Sequence, residues 1–170
     1  MANKPREALL LAEYIRAHFP RAHVLYDVPL GGPDQEAVGR YGYEEALALS
    51  RPYRPRVDAI IVDGKRLLLV EAKIYRWLDG IGKLPVYRGL VDVTPELARF
   101  HGWPKLMRLL IPFTNPSIKY CADVVGVDVT VFSTPALDEY INVELPNYST
   151  RAYKRKRAEK RATMEALGLD

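Results

Sequence analysis

The sequence predicts an α/β fold: a central β-sheet of mixed direction flanked by helices on both faces. Three observations carry that expectation. Apolar segments of strand length alternate with segments of helical period. The strand segments look apolar on both faces, so each face must be covered. A chain of 170 residues, 48% of them hydrophobic, buries a full core without disulfide or metal staples.

Taken in order, "REALLLAEYIRAHF" places Leu9, Leu10, Ile15 and Phe19 at helical spacing, opened by Pro5 and stopped by Pro20. "HVLYDVPL" reads as a strand. The next 26 residues, "GGPDQEAVGRYGYEEALALSRPYRPR", form a long excursion with at most one short helix near Tyr43 to Leu49. "VDAIIVDGKRLLLVEAK" is then a β-hairpin, with Asp63-Gly64 the strongest turn signal in the chain. "GIGKLPVYRGLV" is expected to be helical from near Leu84, since a proline is tolerated in a first turn. "KLMRLLIPFT" and "DVTVFS" read as strands around a short helix in "PSIKYCADVV", and a basic helix runs from about Tyr153 to Leu167. Residues 1–150 are expected to form a single domain and 151–170 a basic helical extension.

Composition excludes several classes. Cys121 is the single cysteine, and His18, His23 and His101 are scattered, so no zinc site follows from spacing. No apolar run approaches the roughly 18 residues of a membrane span, and no leader pattern opens the chain, so a cytoplasmic protein with no membrane association is expected. The formal charge of +4 is uneven. "RAYKRKRAEKR", Arg151 to Arg161, holds seven basic residues and one acid, which leaves the rest of the chain slightly acidic. Lys154, Arg155, Lys156 and Arg157 in this stripe are candidate phosphate contacts, beside the plainer reading of a solvated helix.

The hairpin carries the chemistry. A two-residue loop at Asp63-Gly64 puts Val62 opposite Lys65 and Asp58 opposite Leu69; a four-residue loop puts Asp58 opposite Glu71. Either even loop leaves Asp58, Glu71 and Lys73 on one face of the sheet, whereas a three-residue loop separates them. Cross-strand neighbours lie roughly 5–8 Å apart, close enough for two carboxylates to share a divalent cation. The Ala72 carbonyl adds a third hard oxygen, suiting Mg²⁺ with Mn²⁺ as substitute, and Lys73 stands beside the ion. A surface salt bridge at frayed strand ends is the plainer alternative.

Asp58, twelve residues, then Glu71-Ala72-Lys73, in an α-β-β-β-α-β order over about residues 5–113, resembles the PD-(D/E)XK nuclease superfamily, which includes Holliday junction resolvases, restriction endonucleases and RecB-like enzymes. The resemblance implies a restriction-endonuclease-like core and metal-dependent hydrolysis of phosphodiester bonds in DNA. Asp58 and Glu71 would be metal ligands and Lys73 the catalytic lysine. Many members place a glutamate of the first helix at the metal; Glu7 is favoured here, with Glu13 the other candidate about 240° away around the helix. "KLPVY" matches the Gln-Leu-x-x-Tyr of the RecB-like branch at Leu84 and Tyr87, but has Lys83 in place of glutamine. Val57 stands where the superfamily's proline would.

Arg40, Tyr41, Tyr43, Arg51, Tyr53, Arg54 and Arg56 interleave cations and rings just before Asp58. Arg40, Tyr53, Arg54, Arg56 and Tyr87 are therefore candidate nucleic-acid contacts. No sequence-reading motif is present, which favours structure-selective or nonspecific cleavage. The resemblance implies a stand-alone enzyme of phage or mobile-element type, or a junction-resolving homodimer. The competing class is a noncatalytic nucleic-acid-binding or assembly protein that keeps the fold.

Overall fold

A computed structural model of the chain describes residues 4–143 and 151–166. It divides into two compact units, one up to Phe132 and one from Ser133. The expected division at residue 150 falls inside the second unit.

The first unit is built on a five-stranded mixed sheet in the order β1-β2-β3-β4-β5. The strands are β1 (His23–Pro29), β2 (Arg56–Asp63), β3 (Arg66–Ala72), β4 (Lys105–Ile111) and β5 (Asp128–Val131). β1, β2 and β3 are antiparallel neighbours, and β3, β4 and β5 are parallel. The two parallel steps each need a crossover, supplied by α4 (Trp77–Leu90) and α5 (Pro116–Val124). Two 3-10 turns, Val91–Val93 and Pro95–Phe100, lead from α4 to β4.

Alternation along the strands sorts the core into two layers. Ile60, Leu67, Leu69, Met107 and Leu109 are buried with Ile81 and Leu84 of α4 and Ile118 and Ala122 of α5. The opposite face presents Ile61, Leu68, Val70 and Leu110, all buried. The helix on this side is α1 (Lys4–His18), with Leu10, Leu11, Tyr14 and Ile15 buried. Arg108 of β4 donates to the Tyr14 hydroxyl at 2.7 Å.

The structure departs from the sequence expectation in three places. The excursion before β2 holds two helices, α2 (Gln35–Tyr41) and α3 (Tyr43–Ser50), where at most one was expected. Asp34 caps α2 through the Glu36 and Ala37 amides, and Gly42, at φ +82°, separates the two. α4 begins at Trp77 rather than near Leu84, with Pro85 in its interior. The buried stripe Gly80, Ile81, Leu84 and Tyr87 packs along the sheet and outweighs the hydrogen bond that the proline removes. The second unit contains α6 (Pro135–Val143), unseen in the sequence, and α7 (Arg151–Ala166). Thr134 caps α6 through the Leu137 amide at 3.3 Å.

Gly80 sets how closely α4 lies on the sheet. A Cβ there would stand 2.7 Å from Leu109 Cδ1 and 3.1 Å from Lys73 Cγ. Leu109 is fully buried, so its methyl would have to shift within the packed core. Gly80→Val is therefore expected to cost about 1–3 kcal/mol by overpacking, read as a lower urea midpoint at unchanged slope.

Candidate active site

The β2–β3 register runs from Asp63↔Arg66 to Ala59↔Val70. Continued by one pair, it sets Asp58 opposite Glu71. The turn residues are Gly64 and Lys65, one position later than expected, because Gly64 supplies the positive φ (+60°) that a tight hairpin turn needs at its first central position. Asp63 instead closes the ladder and accepts from Arg66 Nε at 3.0 Å. The even parity holds, with the pairing of the longer-loop alternative.

Asp58, Glu71, Lys73 and Glu7 converge where β3 ends. Asp58 Oδ2 accepts from the Ala72 amide at 2.9 Å. Lys73 Nζ donates to Glu71 Oε2 at 2.9 Å and to the Ala72 carbonyl at 3.1 Å. It also lies 3.6 Å from Asp58 Oδ2 and 4.0 Å from Glu7 Oε2. Glu7 reaches in from the first turn of α1, and its Oε1 accepts from the Ile74 amide at 3.1 Å. Glu13, the other candidate on that helix, is turned away and pairs with Arg16 at 2.8 Å. The cluster is fixed from both sides: the Lys73 amide donates to the Leu110 carbonyl at 2.9 Å, and Gly80 lets α4 close over Glu71.

The electrostatics follow from burial. Glu71 is 2% exposed. Desolvation first, then the neighbouring Asp58 carboxyl, push it up to about 8, against the pull of Lys73. For Lys73, desolvation opposes the charge, but Glu71, Asp58 and Glu7 together raise its pKa above the usual lysine value. It remains an ammonium at neutral pH. The Tyr87 hydroxyl is driven upward by desolvation and by the Glu71 carboxyl beside it, so it stays protonated.

Three residues expected to touch nucleic acid are occupied within the fold. Tyr87 is 5% exposed and belongs to the core against Glu71, so it offers no ring face for stacking. Arg54 is 6% exposed; its guanidinium grips both Glu96 oxygens at 2.7 and 2.8 Å and donates to the Pro29 carbonyl at 3.0 Å. A buried cation with those partners is structural. Arg56 Nε donates to Asp27 Oδ1 at 2.7 Å. Arg40 is exposed and pairs with Glu36 at 2.6 Å, one turn away. Tyr53 is 89% exposed and available. Arg155 is exposed on α7 and lies 3.3 Å from Glu159. The side chains of Lys154, Lys156 and Arg157 lie outside the described residues.

A cleft of about 450 Å³ opens beside the cluster, lined by Glu7, Asp58 and Lys73 together with Tyr26 and Asp27 of β1. Sequence reasoning missed these last two. Within a strand-like octapeptide nothing marks them, and only the β1–β2 register, Tyr26↔Ala59 and Val28↔Val57, sets Asp27 across from Asp58.

Among the described residues no three His, Cys, Asp or Glu side chains form a ready metal cage. The Lys73 ammonium stands among the carboxyl groups instead. Asp58, Glu71 and the Ala72 carbonyl offer hard oxygen atoms of the type a divalent cation takes, and three carboxyl groups face the one Lys73 ammonium. No protein-family model matches the chain, and no curated protein or solved structure matches it significantly.

Two outcomes are expected. Glu71 has its folded pKa raised from 4.5 to about 8, so in that window the folded state holds a proton that the unfolded state has lost. Stability in chelator should fall as pH rises across it, and Glu71→Gln should remove roughly 1–4 kcal/mol of that fall in urea melts at pH 5 and pH 8.5. Arg54→Ala, which removes the buried partner of the Pro29 carbonyl and of the part-exposed Glu96 carboxylate, should cost about 1–3 kcal/mol in the same assay.

Proposed function

We propose that this protein is a metal-dependent nuclease with a restriction-endonuclease-like core, related to the PD-(D/E)XK superfamily, that hydrolyses phosphodiester bonds in DNA. One observation carries the reading: the buried Glu71 and the part-exposed Asp58 face each other across the β2–β3 pair, with Lys73 Nζ 2.9 Å from Glu71 and 3.6 Å from Asp58. A merely structural salt bridge needs one acid and one base. Here Glu7 adds a third carboxyl from a separate helix.

Asp58, Glu71 and the Ala72 carbonyl would hold Mg²⁺, or Mn²⁺ in its place. When bound, the ion supplies Lewis-acid polarisation of the phosphodiester and a more acidic water. Lys73, held cationic by its carboxylate neighbours, orients the attacking water and stabilises negative charge growing at phosphorus. Asp58 is kept in place by the Ala72 amide, and Tyr87 supports Glu71 from beneath. Glu7 ties the end of β3 to α1 through the Ile74 amide, which fixes the position of Lys73. Arg40 and the basic α7 supply contacts to DNA that neutralise phosphate without reading sequence, and Tyr53 offers an exposed ring for stacking. The absence of a sequence-reading motif favours structure-selective or nonspecific cutting, and homodimerisation follows the habit of junction-resolving relatives.

The test is cleavage of labelled linear duplex, single-stranded, flapped and four-way-junction DNA in magnesium, in manganese and in EDTA. Asp58→Asn, Glu71→Gln and Lys73→Ala should each reduce the rate at least about 10²-fold, with salt-dependent binding retained. Glu7→Gln should have a smaller effect. Binding without any metal-dependent cutting would favour a noncatalytic nucleic-acid-binding role.

A further inference from the structure

The cleft beside the carboxylate–lysine cluster is lined by two chemically different sets of side chains. Glu7, Asp58, Lys73 and Asp27 supply its charged lining, and Pro5, Ala8 and Leu11 of α1 together with Tyr26 supply its apolar and aromatic lining. Its volume, about 450 Å³, falls in the range of roughly 300–1,000 Å³ typical of small-ligand sites. Tyr26 is 55% exposed although it sits in a strand whose neighbours Ala59 and Val70 are buried. Its hydroxyl makes no hydrogen bond among the described residues. A large aromatic ring left half in water in a cleft that also has apolar lining recovers hydrophobic and stacking energy when a flat ring is laid against it.

The backbone beside Tyr26 is held in an unusual state. Asp27 has φ +48°, the one non-glycine positive φ among the described residues, and the β1–β2 ladder skips it between Tyr26↔Ala59 and Val28↔Val57. Arg56 clamps that conformation by donating to Asp27 Oδ1 at 2.7 Å. Left-handed residues of this kind cost free energy and persist where surrounding contacts over-determine them, commonly at ligand sites.

We infer that this cleft is a nucleoside subsite, in which the Tyr26 ring and the apolar lining of Pro5, Ala8 and Leu11 hold the base of the nucleotide adjoining the phosphodiester at Glu7, Asp58 and Lys73. The inference rests on the nuclease reading above and names where its substrate lies. Tyr26 is a binding residue that discriminates stacked from missing bases without hydrogen-bond readout.

The experiment uses the full chain and a short single-stranded oligodeoxynucleotide carrying 2-aminopurine, whose fluorescence is quenched by stacking. Binding is measured in magnesium in a Lys73→Ala background, and cleavage is measured with Lys73 present. Tyr26→Ala should weaken binding about ten-fold, abolish the quench and raise KM with kcat little changed, whereas Tyr26→Phe should keep all three. Melting temperatures of the variants confirm that a half-exposed side chain has been replaced without unfolding. Equal binding and quenching in Tyr26→Ala, or no quench in any variant, overturns the subsite. Metal-dependent cleavage with an unaffected Tyr26→Ala would sink the subsite alone. A Tyr26-dependent quench without any cleavage would sink the nuclease reading and leave the subsite standing.

Discussion

A buried carboxyl group facing a second carboxyl across an antiparallel pair, as Glu71 faces Asp58, resists ionisation. Most of the first unit's detail answers to that constraint. The turn at Gly64-Lys65 fixes the register that sets Asp58 opposite Glu71, and a one-residue slip would turn Glu71 to the opposite face. The Ala72 amide takes one Asp58 oxygen, and Lys73 inserts its ammonium. Gly80 allows α4 to close over the pair, while α1 brings Glu7 to the end of β3. In a sheet so apolar, this corner is where the sequence departs from what packing alone would select. Replacing such a buried cluster by apolar residues would often stabilise a protein, so its presence points to a use.

The arginines before β2 show how charge divides between stability and function. Arg54 is drawn inside by Glu96 and the Pro29 carbonyl, and it anchors the long excursion to the 3-10 turn after α4. Arg56 braces Asp27 at the rim of the cleft. Neither is spare for phosphate. The densest positive charge in the sequence is the stripe Arg151 to Arg161, where seven basic residues accompany one acid. Such a stripe contributes affinity that falls with salt and carries no sequence information.

Much of the site was legible before any coordinates. Alternation along the hairpin is a period-two property of the chain, so Asp58, Glu71 and Lys73 share a face under either even loop, and the exact turn position changed only which pair is opposed. Glu7 was singled out by the family resemblance, to which helical phase added only that Glu7 and Glu13 could not both point inward. What escaped were features decided by distant partners. Arg54 meets Glu96 from 42 positions away, and Tyr87 is buried by the sheet rather than by anything in its own helix. Pro85 suggested a helix start, yet packing of Ile81 and Leu84 carries α4 through it from Trp77. Tyr26 and Asp27 acquire meaning only through pairing with β2, which no local pattern announces.

On the proposed reading, Asp58 and Glu71 together hold a divalent cation. Calorimetric titration of the full chain with Mn²⁺ near pH 7, repeated in buffers of different ionisation heat with and without DNA, addresses it most directly. The account predicts saturable binding accompanied by proton release, because Glu71 holds a proton that the ion must displace, with both signals lost in Asp58→Asn and Glu71→Gln. Failure of the wild-type chain to bind Mn²⁺ under either condition, or undiminished binding in both variants, would contradict it.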